Sequence, residues 1–441
     1  MTRRAAVYAC AFSICIAAPA DATMPVKTVS GIRGAEIWFV QDHTVPIVAM
    51  QASLPAGSVY DPRGKSGLAD FAASMLDEGA ANLDSRSFHD ALADRAIQLS
   101  VAVDRDYLKI TLVTESVNAK EAFHLLGLAL QRPRFDADAT TRVRAQLLQN
   151  IASENEEPES VATKGFYGAY FSGHPYARPP GGDPSGINAV TSNDLRAFAR
   201  THWVRSGLKV AVSGDVGPDV LAALLVSTFG PLPATGPGTP SLVRVGTSAQ
   251  RFIKMDVPQP AIVFGLPGPL RSDPDFIAVL VANQIVGAGG FSSRLTDEVR
   301  VKRGLTYDIS TDLLPYRSAG VLVGDVGTRR ESVRQSVGVI RAVLSKFAAS
   351  GATAQELADA KTYLTGSFPL SFSSEAGTVA QLNTFQCEGL GPDYLDHRDD
   401  LIESVTLDDI RRVAKRFFDP VRLTVVIAGT PAETALPGTH R

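Results

Sequence analysis

Gly287-Ala288-Gly289-Gly290-Phe291-Ser292-Ser293-Arg294-Leu295, running on through Asp297-Glu298-Val299-Arg300 to Gly304-Leu305-Thr306-Tyr307, is the stretch around which the chain is organised. A glycine turn enters a polar helix that carries Arg300. Gly304 then stops that helix, so that Tyr307 falls on the strand behind it. The unit offers a fixed guanidinium and a fixed phenol beside a backbone loop able to approach a ligand closely, which suits a peptide carbonyl or a carboxylate.

Upstream of it, Ala35 to Val40 and Ile47 to Leu54 read as strands joined at Asp42-His43. Leu68, Phe71, Ala72, Met75 and Leu76 recur at helical spacing, predicting an amphipathic helix from Gly67 to near Gly79; Phe88 to Ala96 is a second, with Ser87 as its N-cap. Strict alternation of Leu99, Val101, Val103 and then Leu108, Ile110, Leu112 around Asp104-Arg105-Asp106 is a hairpin signal. Helices follow over Ala119 to Leu130, Ala137 to Asn155 and Thr191 to Thr201, with a loop at Pro175 to Gly182 and a strand at Lys209 to Ser213.

The chain repeats itself. Thr191-Ser192-Asn193-Asp194-Leu195-Arg196 aligns without gaps with Thr406-Leu407-Asp408-Asp409-Ile410-Arg411, and the same offset of 215 pairs Ala199 with Ala414, Trp203 with Phe418, Leu208 with Leu423, Val210 with Val425 and Gly214 with Gly429. Cap, helix and following strand keep one register, as a duplicated domain would. Between the copies, Gly230 to Pro240 carries four prolines, three glycines and hardly any apolar bulk, which marks a linker. The expected organisation is a signal peptide at 1–22, an α+β domain at 23–229, a linker at 230–250 and a second α+β domain at 251–441. Each half is a mainly antiparallel sheet covered by helices, together forming half of a clamshell chamber.

At 441 residues the chain has room for two domains of about 200 residues. Charged residues make up 20%, apolar ones 45%, and the formal charge is -3, so nothing points to nucleic acid or an acidic membrane surface. Arg3 and Arg4, the apolar run from Ala5 to Ala18, and Ala20-Asp21-Ala22 as a small-x-small site read as a secretory signal, giving a soluble exported protein, periplasmic in a Gram-negative source. Cleavage after Ala22 removes Cys10 and Cys15 and leaves Cys387 without a disulfide partner, read as a small core residue.

The helix beginning Gly67-Leu68-Ala69, the duplicated halves, the turn Gly290-Phe291-Ser292-Ser293-Arg294-Leu295 and the Arg300-to-Tyr307 spacing resemble the insulinase-like zinc peptidases, including pitrilysin, mitochondrial processing peptidase and two-subunit bacterial relatives, over about Val29 to Pro431. That family carries an inverted zinc motif, H-x-x-E-H, directly after Gly-Leu-Ala, and a further glutamate on a later helix. Here Asp70 and Ser74 stand where the histidines would be, Ala73 where the general base would be, and Asn150 at the position of the distal glutamate. A site without imidazole or thiolate, and with alanine for its base, is a poor zinc hydrolase.

The resemblance implies that Arg300 and Tyr307 hydrogen-bond the substrate carbonyl next to the scissile bond, with Gly289 and Gly290 beside them in substrate binding. It also implies that zinc is held not here but by a homologous partner subunit, so that peptide hydrolysis needs both chains. Blander readings stand beside these. Arg300 suits the last turn of any helix, Tyr307 is in phase with Leu305 and Ile309 as a core-facing strand residue, and the glycines serve a tight turn. The histidines show no pairwise ligand spacing, His174-Pro175 is assigned a structural role, and the run Glu154, Glu156, Glu157, Glu159 reads as a solvated helix end. Two rival functions are a structural or assembly protein without turnover and a stand-alone hydrolase with an unorthodox metal site.

Overall fold

The computed structural model describes residues 24–430 apart from 237, 239, 242 and 244–247; the expected signal peptide and part of the expected linker lie outside the described residues. The fold is α+β, with one large sheet per half and a small two-stranded one, Gly79–Ala80 with Leu83–Asp84, in the first. In the first large sheet, the strands lie in the order Lys27–Thr28, Ala35–Gln41, Leu208–Gly214, Ile47–Leu54, Leu108–Glu115 and Gln98–Val103. In the second the order is Gln250–Ile253, Thr424–Ala428, Ala261–Gly268, Gly320–Gly327 and Ile309–Pro315.

The 215-residue repeat is therefore a repeat of topology. Each large sheet has a single parallel pairing at the same place, Ala35–Gln41 with Leu208–Gly214 and Gln250–Ile253 with Thr424–Ala428, and is otherwise antiparallel. Thr191 and Thr406 both form full capping boxes, with Asp194 and Asp409 returning the bond to the cap. Gly214 and Gly429 share a positive φ of 129° and 136°, where a side chain is strained. A Cβ on Gly214 would also lie 2.1 Å from the Ile47 carbonyl oxygen.

One face of each sheet is covered by helices of its own half, which build two large cores around Phe71, Phe88 and Phe123 and around Val279, Leu344 and Phe347. The other face is covered by a helix from the opposite half, an exchange that the sequence did not disclose. Pro158–Tyr170 lies on the second sheet, where Phe166, Tyr167 and Tyr170 pack with Val263, Val321 and Val426. A Cβ on Gly265 would come 2.5 Å from the Phe166 ring, so only a bare backbone admits that ring. In return Glu375–Cys387 lies on the first sheet, placing Val379, Leu382 and Phe385 against Trp38, Val40, Ala49 and Ala211.

The second contact has a polar centre. Ser53 Oγ donates to Asn383 Oδ1 at 2.5 Å, Asn383 Nδ2 donates to the Lys209 carbonyl at 3.2 Å, and Gln386 Nε2 lies 3.1 Å from the carbonyls of both Glu36 and Val210. Ser53, Asn383 and Gln386 are buried, so each bond removed leaves a group that water does not reach. Cys387 ends the same helix. Burial pushes its thiol up to about 11, as befits a packing residue rather than a nucleophile.

Several local expectations are corrected. The helix expected from Gly67 to Gly79 is regular only over Leu68–Ala73 and then unwinds into turns. The next helix is Ser85–Ala93, and its cap is Asp84, which accepts from the Ser87 amide at 2.8 Å. Tyr307 is not on a strand; the strand begins at Ile309. Among the described residues no helix is long and apolar enough to cross a membrane.

Replacing Asn383 by leucine keeps its branched shape but strands the Ser53 hydroxyl and the Lys209 carbonyl. We expect a loss of about 2–4 kcal/mol, read as a lower urea midpoint at unchanged slope. A loss below about 0.5 kcal/mol would show that these bonds do not hold the halves together.

Candidate functional site

The glycine-rich turn is shaped by its neighbours. A Cβ on Gly287 would fall 2.2 Å from Thr311 Oγ1, because Asn283 and Thr311, joined by bonds of 2.7 and 3.1 Å, pull the strand against the helix end. Gly289 has no room beside the Gln284 carbonyl, and Gly290 sits at φ 54° in the left-handed region. The turn presents Phe291 to solvent, 70% exposed. Ser293 and Leu295 behind it are buried, and Arg294 reaches inward to grip Glu356 with two bonds of 2.6 and 2.7 Å. That guanidinium holds the Glu356 carboxyl down to about 2, so Arg294 is an anchor between helices and not a ligand-binding group.

The polar helix is a π-helical segment, Thr296–Val301. Gly304, at φ 58°, ends it by donating to the Arg300 carbonyl at 2.8 Å, while the Leu305 amide reaches back to the Val299 carbonyl at 3.0 Å. The Thr328 hydroxyl, buried beneath, donates to the Leu305 carbonyl at 2.7 Å. The Thr306 hydroxyl lies 2.7 Å from the Gly327 carbonyl and 2.6 Å from that of Asp308. The segment carrying Tyr307 is thus stapled to the end of strand Gly320–Gly327.

Charge pairing separates Arg300 from its neighbours. Lys302 pairs with Asp297 at 2.7 Å and Glu298 at 2.8 Å, and Arg303 pairs with Glu298 at 2.5 Å. The half-buried side chain of Arg300 has no hydrogen bond or ion pair among the described residues; its guanidinium stacks on the Phe291 ring at 4.4 Å. Tyr307 is 85% exposed, so the core-facing reading fails, and its hydroxyl has no partner among the described residues. The two groups share a pocket of about 420 Å³ whose lining also includes Gln259, Thr306 and Arg329. Gly289 and Gly290 are not in that lining; they set the turn that carries Phe291 onto Arg300. Gln259 and Arg329 join from distant segments, and no local sequence signal marks either.

The expected metal positions present a different picture. Asp70 lies on Leu68–Ala73, whose first amides, Gly67 and Ala69, are bound by Asp61 at 2.7 and 2.8 Å. Ala73 is buried, Ser74 caps the short helix, and Asn150 is exposed and bonded to Gln146 at 2.8 Å. Burial first, and the negative charge of Glu154 second, push the Asp70 carboxyl up to about 6. Glu154, the charge that acts on Asp70, is exposed, lies four positions beyond Asn150 and is paired with Lys164 at 2.9 Å. No imidazole takes part, so these residues do not fit a zinc ion.

Among the described residues the one grouping of three metal-type side chains is elsewhere, at Asp77, Glu78 and His89. Its Glu78 is already held by Arg142 and Ser85. His174 accepts from the Tyr176 amide at 3.1 Å and caps a tight turn, and Asp215 takes the side chain of His43.

The raised Asp70 pKa gives a signed prediction. Ionising this group costs folding stability as pH rises from its unfolded value of 3.8 through about 6, so the cost is small at pH 4 and full at pH 8. Asp70→Asn is expected to melt at a higher temperature than the parent at pH 8, by up to roughly 3 kcal/mol of stability, with a gain of at most about 0.5 kcal/mol at pH 4. Equal melting curves at pH 8 would contradict the burial assigned to this carboxylate.

With this geometry in place, the comparisons with known proteins bear directly on it. Residues 37–183 match the family model described as insulinase (peptidase family M16), and residues 189–364 match the one described as peptidase M16 inactive domain. The chain is 26% identical over 333 residues to a non-peptidase homolog, YmxG, of Helicobacter pylori, covering 75% of this chain and 77% of that protein. It is 27% identical over 322 residues to an uncharacterized zinc protease of Mycobacterium tuberculosis, covering 72% and 73%. The crystal structure of a peptidase M16 inactive domain from Pseudomonas fluorescens superposes with a TM-score of 0.87 at 26% identity, covering 92% of this chain and 98% of the other. Both halves are matched and the overlay spans nearly the whole chain, so this protein belongs to the insulinase-like peptidase family M16, as an inactive member of it.

Proposed function

We propose that this chain is the non-catalytic subunit of a two-chain zinc metallopeptidase. In this reading a homologous partner holds the zinc and the general base, the peptide lies between the chains, and Arg300 and Tyr307 reach the carbonyl beside the scissile bond. The observation that carries the proposal is the contrast in pairing. Arg294, Lys302 and Arg303 are all neutralised within the chain, whereas the Arg300 guanidinium and the Tyr307 hydroxyl stand unpartnered among the described residues in one pocket. Donors held ready in this way stabilise charge that develops on a carbonyl oxygen, and a donor supplied by a second subunit is well precedented.

The sheet architecture supports a mode of peptide binding. Gln98–Val103 and Ile309–Pro315 are the outermost strands of their sheets, each paired on one side only among the described strands. An extended peptide adds to such an edge through its main chain. The signal-like stretch from Arg3 to Ala22 supports an exported, periplasmic location, and the near-balanced charge gives no reason to expect nucleic acid or a membrane as partner.

A second reading is peptide binding without turnover, favoured by the similarity to the Helicobacter relative, a non-peptidase homolog. It predicts that peptide is retained uncut when the zinc-bearing relative is added.

In the assembled complex, Arg300→Ala and Tyr307→Phe are each expected to lower kcat by about 10²–10³ while both chains still co-elute. A double variant with near-parental turnover would remove the role assigned to this pair.

A further inference from the structure

We infer that the pocket holding Arg300 and Tyr307 is a carboxylate-binding subsite, with Arg329 as the residue that selects peptides bearing a carboxylate next to the bound carbonyl. This inference deepens the proposed function and depends on that reading of the pocket. Its starting point is a surplus of charge. A carbonyl oxygen is neutral in the ground state and takes one or two donors, which Tyr307 and a single arginine supply. Yet the lining of about 420 Å³ contains two guanidinium groups, Arg300 and Arg329, a side-chain amide at Gln259 and no acidic side chain.

The partners of Arg329 confirm that its charge is available. Its neighbour Arg330 is fully engaged, donating from Nε to the Val257 carbonyl at 2.6 Å and pairing with Asp256 at 2.5 Å. Among the described residues Arg329 has only Glu331, at 3.5 Å, and both side chains are open to water at 68% and 64% exposure. Such a pair contributes little and exchanges readily for a better-placed anion. Asp308 follows Tyr307 in sequence but does not line the pocket.

The pocket is also held in shape. Gly327 and Thr328, the residues just before Arg329, are those to which Thr306 and Leu305 are bonded, so the backbones bearing Tyr307 and Arg329 are fixed to each other. A planar carboxylate matches the forked donors of a guanidinium, with Gln259 and Thr306 within the same lining to take the remaining lone pairs. Two sources carry that chemistry, an aspartate or glutamate side chain and the terminal carboxylate of the peptide.

The test is fluorescence anisotropy on the full mature chain with three labelled octapeptides of alanine, leucine and serine. One is amidated at its C-terminus, one is identical but with a free C-terminal carboxylate, and one is amidated with a central glutamate. The parent chain is expected to bind at least one carboxylate peptide about tenfold more tightly than the neutral amide, and the better of the two identifies the source. Arg329→Gln should reduce that ratio below about threefold, and raised salt should reduce it in the parent. Circular dichroism on the variant, whose altered side chain is exposed, checks that it is folded. Equal affinities for all three peptides, or an undiminished preference in folded Arg329→Gln, would overturn the subsite while leaving peptide binding in place. Failure of the parent to bind any of the peptides would overturn the peptide-binding reading and the subsite with it.

Discussion

The structure depends on an exchange of two helices. Each sheet carries an apolar face that its own half leaves bare, and the other half supplies the cover: Phe166 and Tyr170 go one way, Leu382 and Phe385 the other. Burying such aromatic side chains is among the largest single contributions a residue makes, so neither half is complete alone. The buried bonds of Asn383 and Gln386 add direction to this packing, because they are satisfied only when the helix meets the Lys209 and Val210 carbonyls in one register. The duplicated halves are one cooperative unit, and the pocket at Arg300 is built on a sheet whose back is held by the first half.

Rigidity of that kind explains how a mostly exposed pair of side chains serves a site. Tyr307 has no packing of its own, but the loop bearing it is closed by Gly304, Thr306 and Thr328. Arg300 is steadied by the Phe291 ring without being neutralised. A cation left unpaired among the described residues, beside three paired ones, fits a charge kept for a ligand.

Much of this was legible in the sequence, and the remainder was hidden for physical reasons. The repeat could be read because Thr191, Asp194 and Gly214 and their counterparts Thr406, Asp409 and Gly429 are local devices, a cap and a positive-φ glycine. The placing of Asp70, Ala73 and Ser74 around one short helix was legible for the same reason. Tyr307 was misplaced onto a strand because Leu305, Tyr307 and Ile309 alternate correctly, while the side-chain bonds of Thr306 and Thr328 that bend the backbone leave no mark on that period. The crossing of Pro158–Tyr170 to the opposite sheet, and the arrival of Gln259 and Arg329 beside Arg300, are tertiary facts with no local signature.

The central claim is that one zinc site is divided between two chains. The most direct measurement is peptidase activity together with zinc content for this chain alone, for a zinc-motif relative alone and for the two mixed. The account predicts activity only in the mixture and zinc only in the relative. Stoichiometric zinc and activity in this chain by itself would contradict it, and would mean that Asp70, Ser74 and Asn150 had been misread as a site without metal.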